Sequence, residues 1–333
     1  MSLTSCLDDR GSMVSRFMTA ELPGVRDMQA SYRATLPAGG EVLRPDPPGG
    51  TRPTWGTLGH AIEHRLRYAF ADVAEPSPAV RHGVAAAAGR SDRGTAMAVS
   101  RAATDVLRAL AALVAQERPA SRDRDLMLAK GGEDLLERIC YAMGWFEEVY
   151  RTGRLWPGTP LGDARPSLTA HTLLAAVPGY AIADLGAQVR LASRNLAGLR
   201  AASRADQVRP WPMFAGSADA GGADADLIVG DLLLEIKSRA AATLRREDVY
   251  QILGYMLLDY PDEYQIGRVG WYLTRHGHLV IWTVSECLGM LGARRPLAEL
   301  RDMLSRSSVN GVFMRSGAAR AASTRRRFPA MVR

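Results

Sequence analysis

The sequence predicts an α/β fold: a small sheet built of β-hairpins and flanked by helices, with a long helical stretch inserted ahead of it. Three observations carry this. Segments 221–237 and 267–284 each read as two short apolar strands around a tight turn, Gly230-Asp231 in the first and Arg275-His276-Gly277 in the second. Between them, 245–259 has helical periodicity and stops before Pro261. The stretch 73–210 repeats its apolar residues at helical spacing instead.

Along the chain, residues 1–53 hold a predicted helix, Ser15 to Arg33. A linker follows from Leu36 to Pro53, rich in Pro and Gly (Pro45, Pro47, Pro48, Gly49, Gly50). The first helix of the main body falls within 54–72, from Thr57 to about Asp72. The insertion, 73–210, contains helices over Thr95–Gln116, Glu133–Arg151 and Ile182–Ala205. In the second, Leu135, Leu136, Ile139, Cys140, Met143, Phe146 and Val149 mark the buried stripe. Its acids Glu133, Asp134, Glu137, Glu147 and Glu148 stand at helical spacing from Arg138 and Arg151. They read as solvated ion pairs rather than a metal site. The third carries Arg190, Arg194, Arg200 and Arg204, read as facing water; lining a nucleic-acid channel is the other reading. The main body, 211–310, ends in a helix from about Ser285 to Arg306, interrupted near Gly292 and Pro296.

Composition narrows the function. Hydrophobic residues make up 47% of the 333, enough for a folded core. No apolar run approaches the ~20 residues that span a bilayer, and Asp8, Asp9 and Arg10 break any signal-peptide pattern. A cytoplasmic protein with no membrane partner is expected. Cys6, Cys140 and Cys287 are too few and too scattered for a disulfide framework or zinc knuckle. A formal charge of +7 favours an anionic partner. The tail 311–333 holds Arg315, Arg320, Arg325, Arg326, Arg327 and Arg333 without one acid. It is expected to be disordered, to grip phosphates or merely to solubilise.

The first hairpin carries charge where buried strands should not. Side chains two apart share a strand face, so Glu235 and Lys237 project with Leu233, and Asp224 and Asp226 with Ile228. Paired strands would bring these carboxylates together beside one ammonium. Carboxylates so held repel and call for a cation, and hard divalent ions take oxygen ligands. On 245–259, Gln251 and Tyr255 are four apart and share a helical face.

Asp226 followed by Glu235-Ile236-Lys237 resembles the PD-(D/E)xK nuclease superfamily; Ala225 stands where that pattern usually has Pro. Gln251-Ile252-Leu253-Gly254-Tyr255 resembles the QxxxY motif of RecB-type nuclease domains and of the related nucleases of CRISPR spacer acquisition. Upstream, Gly56-Thr57-Leu58-Gly59-His60 resembles the GxxxH of their first helix, where relatives use a Glu; Glu63 is the rival to His60. The motifs occur in the family's order, over the first helix and about 214–284, and leave the middle uncovered.

The resemblance implies a restriction-endonuclease-like core, with a small mixed sheet and a large helical insertion. It implies a DNA-cutting hydrolase that uses Mg²⁺ or Mn²⁺, held by Asp226, Glu235 and the Ile236 carbonyl, with His60 or Glu63 completing the shell and Asp224 as an alternative. Lys237 would stabilise developing charge or place the attacking water, and Gln251 and Tyr255 would orient Lys237 or a phosphate. Four-cysteine iron–sulfur clusters occur in some RecB-type nucleases; three cysteines predict none here. Defence against foreign DNA or DNA repair would be its setting. With no GxxxxGK[ST] motif, ATP-driven unwinding would need a helicase or another defence-system subunit. The competing readings are a non-cleaving nucleic-acid-binding or partner-scaffolding protein on the same fold, and a helical interaction protein whose acidic hairpin is structural.

Overall fold

The computed structural model describes residues 3–40, 42–71, 75–116 and 126–307. The basic tail 311–333 and Asp72 lie outside the described residues. The helices are α1 (Leu3–Asp8), α2 (Met13–Glu21), α3 (Val25–Thr35), α4 (Trp55–Phe70), α5 (Pro78–Gly89), α6 (Arg93–Gln116), α7 (Lys130–Thr152), α8 (Ala170–Ala175), α9 (Gly179–Asn195), α10 (Ala197–Ala202), α11 (Arg246–Leu258) and α12 (Val284–Met290). A further helical run covers 297–307.

The strands β1 (Val208–Pro210), β2 (Leu227–Val229), β3 (Leu232–Lys237), β4 (Arg268–Leu273) and β5 (His278–Thr283) form one mixed sheet in that order. β1, β2 and β3 pair antiparallel, β3 and β4 run parallel, and β5 returns antiparallel. Parallel neighbours need a long crossover, and α11 supplies it. Gly230 and Gly277, at φ of 62° and 57°, make the two hairpin turns, where a glycine adopts the left-handed region without penalty.

The sheet divides two cores. Leu227, Val229, Leu232, Leu234 and Ile236 join the apolar sides of α4 to α7 and α9. Ile228, Leu233, Val269 and Trp271 join α1 to α3, α11 and α12. The alternation expected of the first hairpin holds, and α11 is buried nearly all round because it lies between this face and the N-terminal helices.

Several expectations are corrected. The single helix 15–33 is broken at Pro23-Gly24, where a side chain on Gly24 would strike the Met290 carbonyl at 2.3 Å. These N-terminal helices share their core with residues 214–304. The long helix 182–205 breaks at Leu196, and Arg200 is buried, donating from Nε to the Ala69 carbonyl at 2.7 Å, whereas Arg190, Arg194 and Arg204 are exposed. The last helix is two, separated at Gly292, which has φ of 69°. β1 falls inside the stretch read as a helix-rich insertion. It is three residues long and ends in Pro210, which an edge strand tolerates because one side needs no donor. Cys6, Cys140 and Cys287 are buried and form no disulfide. Among the described residues no helix is long and apolar enough to cross a membrane.

Candidate active site

The β2–β3 register pairs Leu227 with Leu234. One step beyond the end of β2, Asp226 therefore stands opposite Glu235, and both lie on the face of Ile228 and Leu233. Lys237 follows on that face and donates from Nζ to Glu235 Oε1 at 2.7 Å and to Gln251 Oε1 at 2.9 Å. Gln251 Nε2 donates to the Tyr255 hydroxyl at 2.7 Å, and the Tyr255 ring stacks on Phe214. The helical spacing of Gln251 and Tyr255 thus makes a relay that ends on the lysine.

From the other layer, α4 brings His60, Glu63 and Arg67. A cavity of about 200 Å³ is lined by all of these together with Asp224 and Arg151. A larger cavity, about 590 Å³, opens at the Gly230 end of β2, but its Asp231 and Arg268 already pair at 2.5 Å and the motif residues are elsewhere. Volume alone does not locate chemistry, and convergent polar groups do. Ile236 is placed differently from its neighbours. Lys237 uses its carbonyl toward β4, accepting from Thr274 N–H at 3.0 Å. Backbone groups alternate edges along a strand. Ile236 therefore turns its own N–H and C=O to the Asp226 side, where the N–H donates to Asp226 Oδ2 at 2.7 Å.

Burial pushes the Asp226 carboxyl well above the usual range, and Glu235 and Glu63 add to this; Arg67 and Lys237 oppose it without prevailing. Burial likewise raises Glu235, against the pull of Lys237. Burial would lower Lys237, but Glu235, Asp248 and Asp226 outweigh it, so the ammonium is held. For Glu63, burial would raise the carboxyl, yet His60 and Arg67 keep it low.

The sequence reading missed three groups. Arg67, four residues beyond Glu63 on α4, is buried. It donates from Nε to the Asp226 carbonyl at 3.0 Å and from Nη2 to Asp226 Oδ1, with Glu63 only at 3.8 Å. Glu147 is no solvated acid. It lies 3.0 Å from His64 Nε2 and 3.5 Å from His60 Nδ1, and accepts from Arg151 Nε at 2.7 Å. Burial would raise Glu147, but His60, His64 and Arg151 hold it well below the ordinary range. Arg151 also reaches to 3.9 Å from Asp224. Glu133 and Glu137 are buried too, away from this pocket, whereas Asp134 does pair with Arg138 on the surface. The signal was glycine: Gly144 within apolar α7 lets the helix approach Thr57 of α4, where an added Cβ would meet the Thr57 carbonyl at 3.1 Å.

Among the described residues no three His, Cys, Asp or Glu side chains converge as a metal-ligand group. The acids instead face the chain's own cations, Asp226 with Arg67 and Glu235 with Lys237. One oxygen is left over: Glu235 Oε2 is buried without a hydrogen-bond partner. Compared with protein-family models, curated proteins and solved structures, the chain matches none.

Proposed function

We propose that this protein is a metal-dependent nuclease of the PD-(D/E)xK type that hydrolyses DNA phosphodiester bonds. One observation carries the reading: Asp226, Glu235, Lys237, Gln251 and Tyr255, from two strands and a helix, share one pocket with His60 and Glu63. The element order supports it. A helix, three antiparallel strands, a crossover helix and a parallel strand fit a restriction-endonuclease-like core, with 73–210 as its insertion.

The donor set suits Mg²⁺ or Mn²⁺, which prefer carboxylate and carbonyl oxygens. Asp226, the partnerless Glu235 Oε2 and the Ile236 carbonyl would hold the ion. Glu63 is the better fourth donor, because such ions prefer carboxylate oxygen to imidazole, and His60 Nδ1 already faces Glu147 and Glu63 at 3.5 and 3.7 Å. When bound, such an ion polarises the phosphate and lowers the pKa of a water. The chain does the rest. Lys237, kept protonated, meets the developing negative charge, and Gln251, braced by Tyr255, fixes its position. Arg67, which donates to Asp226 Oδ1, and Arg151 line the same pocket and would be the cations placed to meet a phosphate there. Defence against foreign DNA or DNA repair in the cytoplasm, beside a helicase or other ATP-driven subunit, follows from the resemblance.

The test is cleavage of linear duplex, circular duplex and single-stranded DNA with Mg²⁺, Mn²⁺ or EDTA. Cutting is expected with metal only, and should fall about 10²–10³-fold in Lys237→Ala, the scale of losing a preorganised stabilising group. Salt-sensitive binding without cutting would assign the chain to the non-cleaving alternative. Neither cutting nor binding would sink the nucleic-acid reading.

A further inference from the structure

We propose that the end of α7 and the loop after it form a base-stacking platform, which makes a single strand the form of nucleic acid delivered to the pocket. This rests on the nuclease reading above. The exposed large hydrophobic side chains among the described residues are Met97, Tyr150, Trp156 and Met213. Both aromatics fall within seven residues, immediately around Arg151, which lines the pocket.

Their placement follows from the helix. Residues four apart share a face, so Glu147 and Arg151 look toward α4, where Arg151 lines the pocket, while Phe146 and Tyr150 look toward α5. There Gly83 lets the two helices touch, since an added Cβ would lie 1.9 Å from the Phe146 carbonyl. The contact sets His82 against Tyr150, ring centroids 5.4 Å apart and planes 24° from parallel. Tyr150 is thus held as a flat, 47% exposed face. Gly153, left-handed at φ of 66°, ends the helix and turns the chain. Beyond it Trp156 is 44% exposed, and the Arg154 guanidinium lies 5.4 Å from its ring centroid. Trp156 is five residues from Arg151, no more than about 18 Å along even an extended chain.

The charge around these rings is complementary to phosphate. Arg90 lies with Nη2 3.6 Å from where a Gly153 side chain would begin, and Nη1 donates to the Ala86 carbonyl. Among the described residues neither Arg90 nor Arg154 ion-pairs with a carboxylate. Preformed π-faces between unpaired arginines bind unstacked bases irrespective of sequence. A duplex keeps its bases stacked inside and offers such a surface only its backbone.

The experiment is fluorescence anisotropy, in EDTA so that nothing is cut, with a labelled oligodeoxynucleotide of about 20 nucleotides, single-stranded and as a duplex. The wild type should prefer the single strand. Tyr150→Ala with Trp156→Ala should weaken single-strand binding about 100-fold, about tenfold for each stacked base, and duplex binding less than about twofold. Tyr150→Phe with Trp156→Phe keeps both π-faces and should stay within about threefold of wild type. Thermal melts check that the variants fold. Unchanged single-strand affinity in the alanine variant, an equal loss for duplex, or no single-strand binding by the wild type would each overturn the platform. So would a protein partner held through Tyr150 and Trp156 with oligonucleotide affinity intact. In each case, metal-dependent cutting that disappears in Lys237→Ala would still stand.

Discussion

Two arginines of α4, Arg65 and Arg67, are both buried and both paired with acids, yet their surroundings differ in kind. Arg65 is closed. It meets Glu133 through Nε and Nη2, each at 2.7 Å, and gives a second bond from Nη2 to the Leu126 carbonyl. Glu133 in turn accepts from Leu128 N–H at 2.8 Å. Arg67 is open. Its acid, Asp226, stands opposite a second carboxylate whose Oε2 has no partner, with Glu63 nearby. Burial of charge therefore does not by itself mark function. The mark is unbalanced satisfaction: a closed pair ties α4 to α7, while a cluster with an acceptor to spare has room for a cation from outside.

The contrast is most vulnerable at the closed pair. Arg65→Ala leaves Glu133 charged and stranded, and should cost about 3–5 kcal/mol in chemical denaturation. A loss under about 1 kcal/mol would mean that the cluster is solvated and the contrast false. At the open cluster the same measurement should respond differently. Burial raises the Glu235 carboxyl, so ionised Glu235 is a burden on the fold. Glu235→Gln should thus keep or raise the metal-free stability. What it should lose is the stabilisation by Mn²⁺, about 2.7 kcal/mol at a hundredfold excess over Kd in the wild type. Equal Mn²⁺ stabilisation of both proteins would remove Glu235 from the ligand set.

Glu137 lies next to the closed pair without belonging to it, and extends the contrast to pH. Burial, with Glu133 and Asp134 beside it, pushes its carboxyl from 4.5 to about 8, and Oε1 has no hydrogen-bond partner. The fold holds this proton up to about pH 8 and the unfolded chain only to about 4.5. Its contribution is therefore full below 4.5 and is lost as pH rises through about 8. Glu137→Gln should remove that slope, so the variant gains on the wild type as pH rises, by roughly 1–2 kcal/mol at alkaline pH. A constant difference between the two proteins across pH would show that Glu137 is ionised in the fold.

What was legible in the sequence was local. Strand alternation put Asp226, Glu235 and Lys237 on one face, helical spacing joined Gln251 to Tyr255, and glycines marked both hairpin turns. What was illegible needs contacts across long separations. Arg67 meets Asp226 across 159 positions, while its i,i+4 neighbour Glu63 offers a plausible surface pair that sequence alone cannot reject. Glu147 and Arg151 do pair at i,i+4, as their spacing suggests. Only the packing of α7 on α4 buries Glu147 among His60 and His64. β1 escaped because three residues ending in proline carry no period.

The smallest effect tests how the relay works. Tyr255→Phe removes the acceptor of the Gln251 amide at 2.7 Å but keeps the ring stacked on Phe214, 5.5 Å between centroids. The cost to stability should be about 0.5–1.5 kcal/mol, one hydrogen bond. Gln251 Oε1 still accepts from Lys237, so the lysine loses a brace rather than a partner. If Tyr255 acts through that brace, kcat should fall only about 3–10-fold with KM unchanged, since a positioning loss is felt mainly in the transition state. If the hydroxyl instead binds the phosphate directly, KM should rise at constant kcat. That result would move Tyr255 from a support of Lys237 to a contact with substrate.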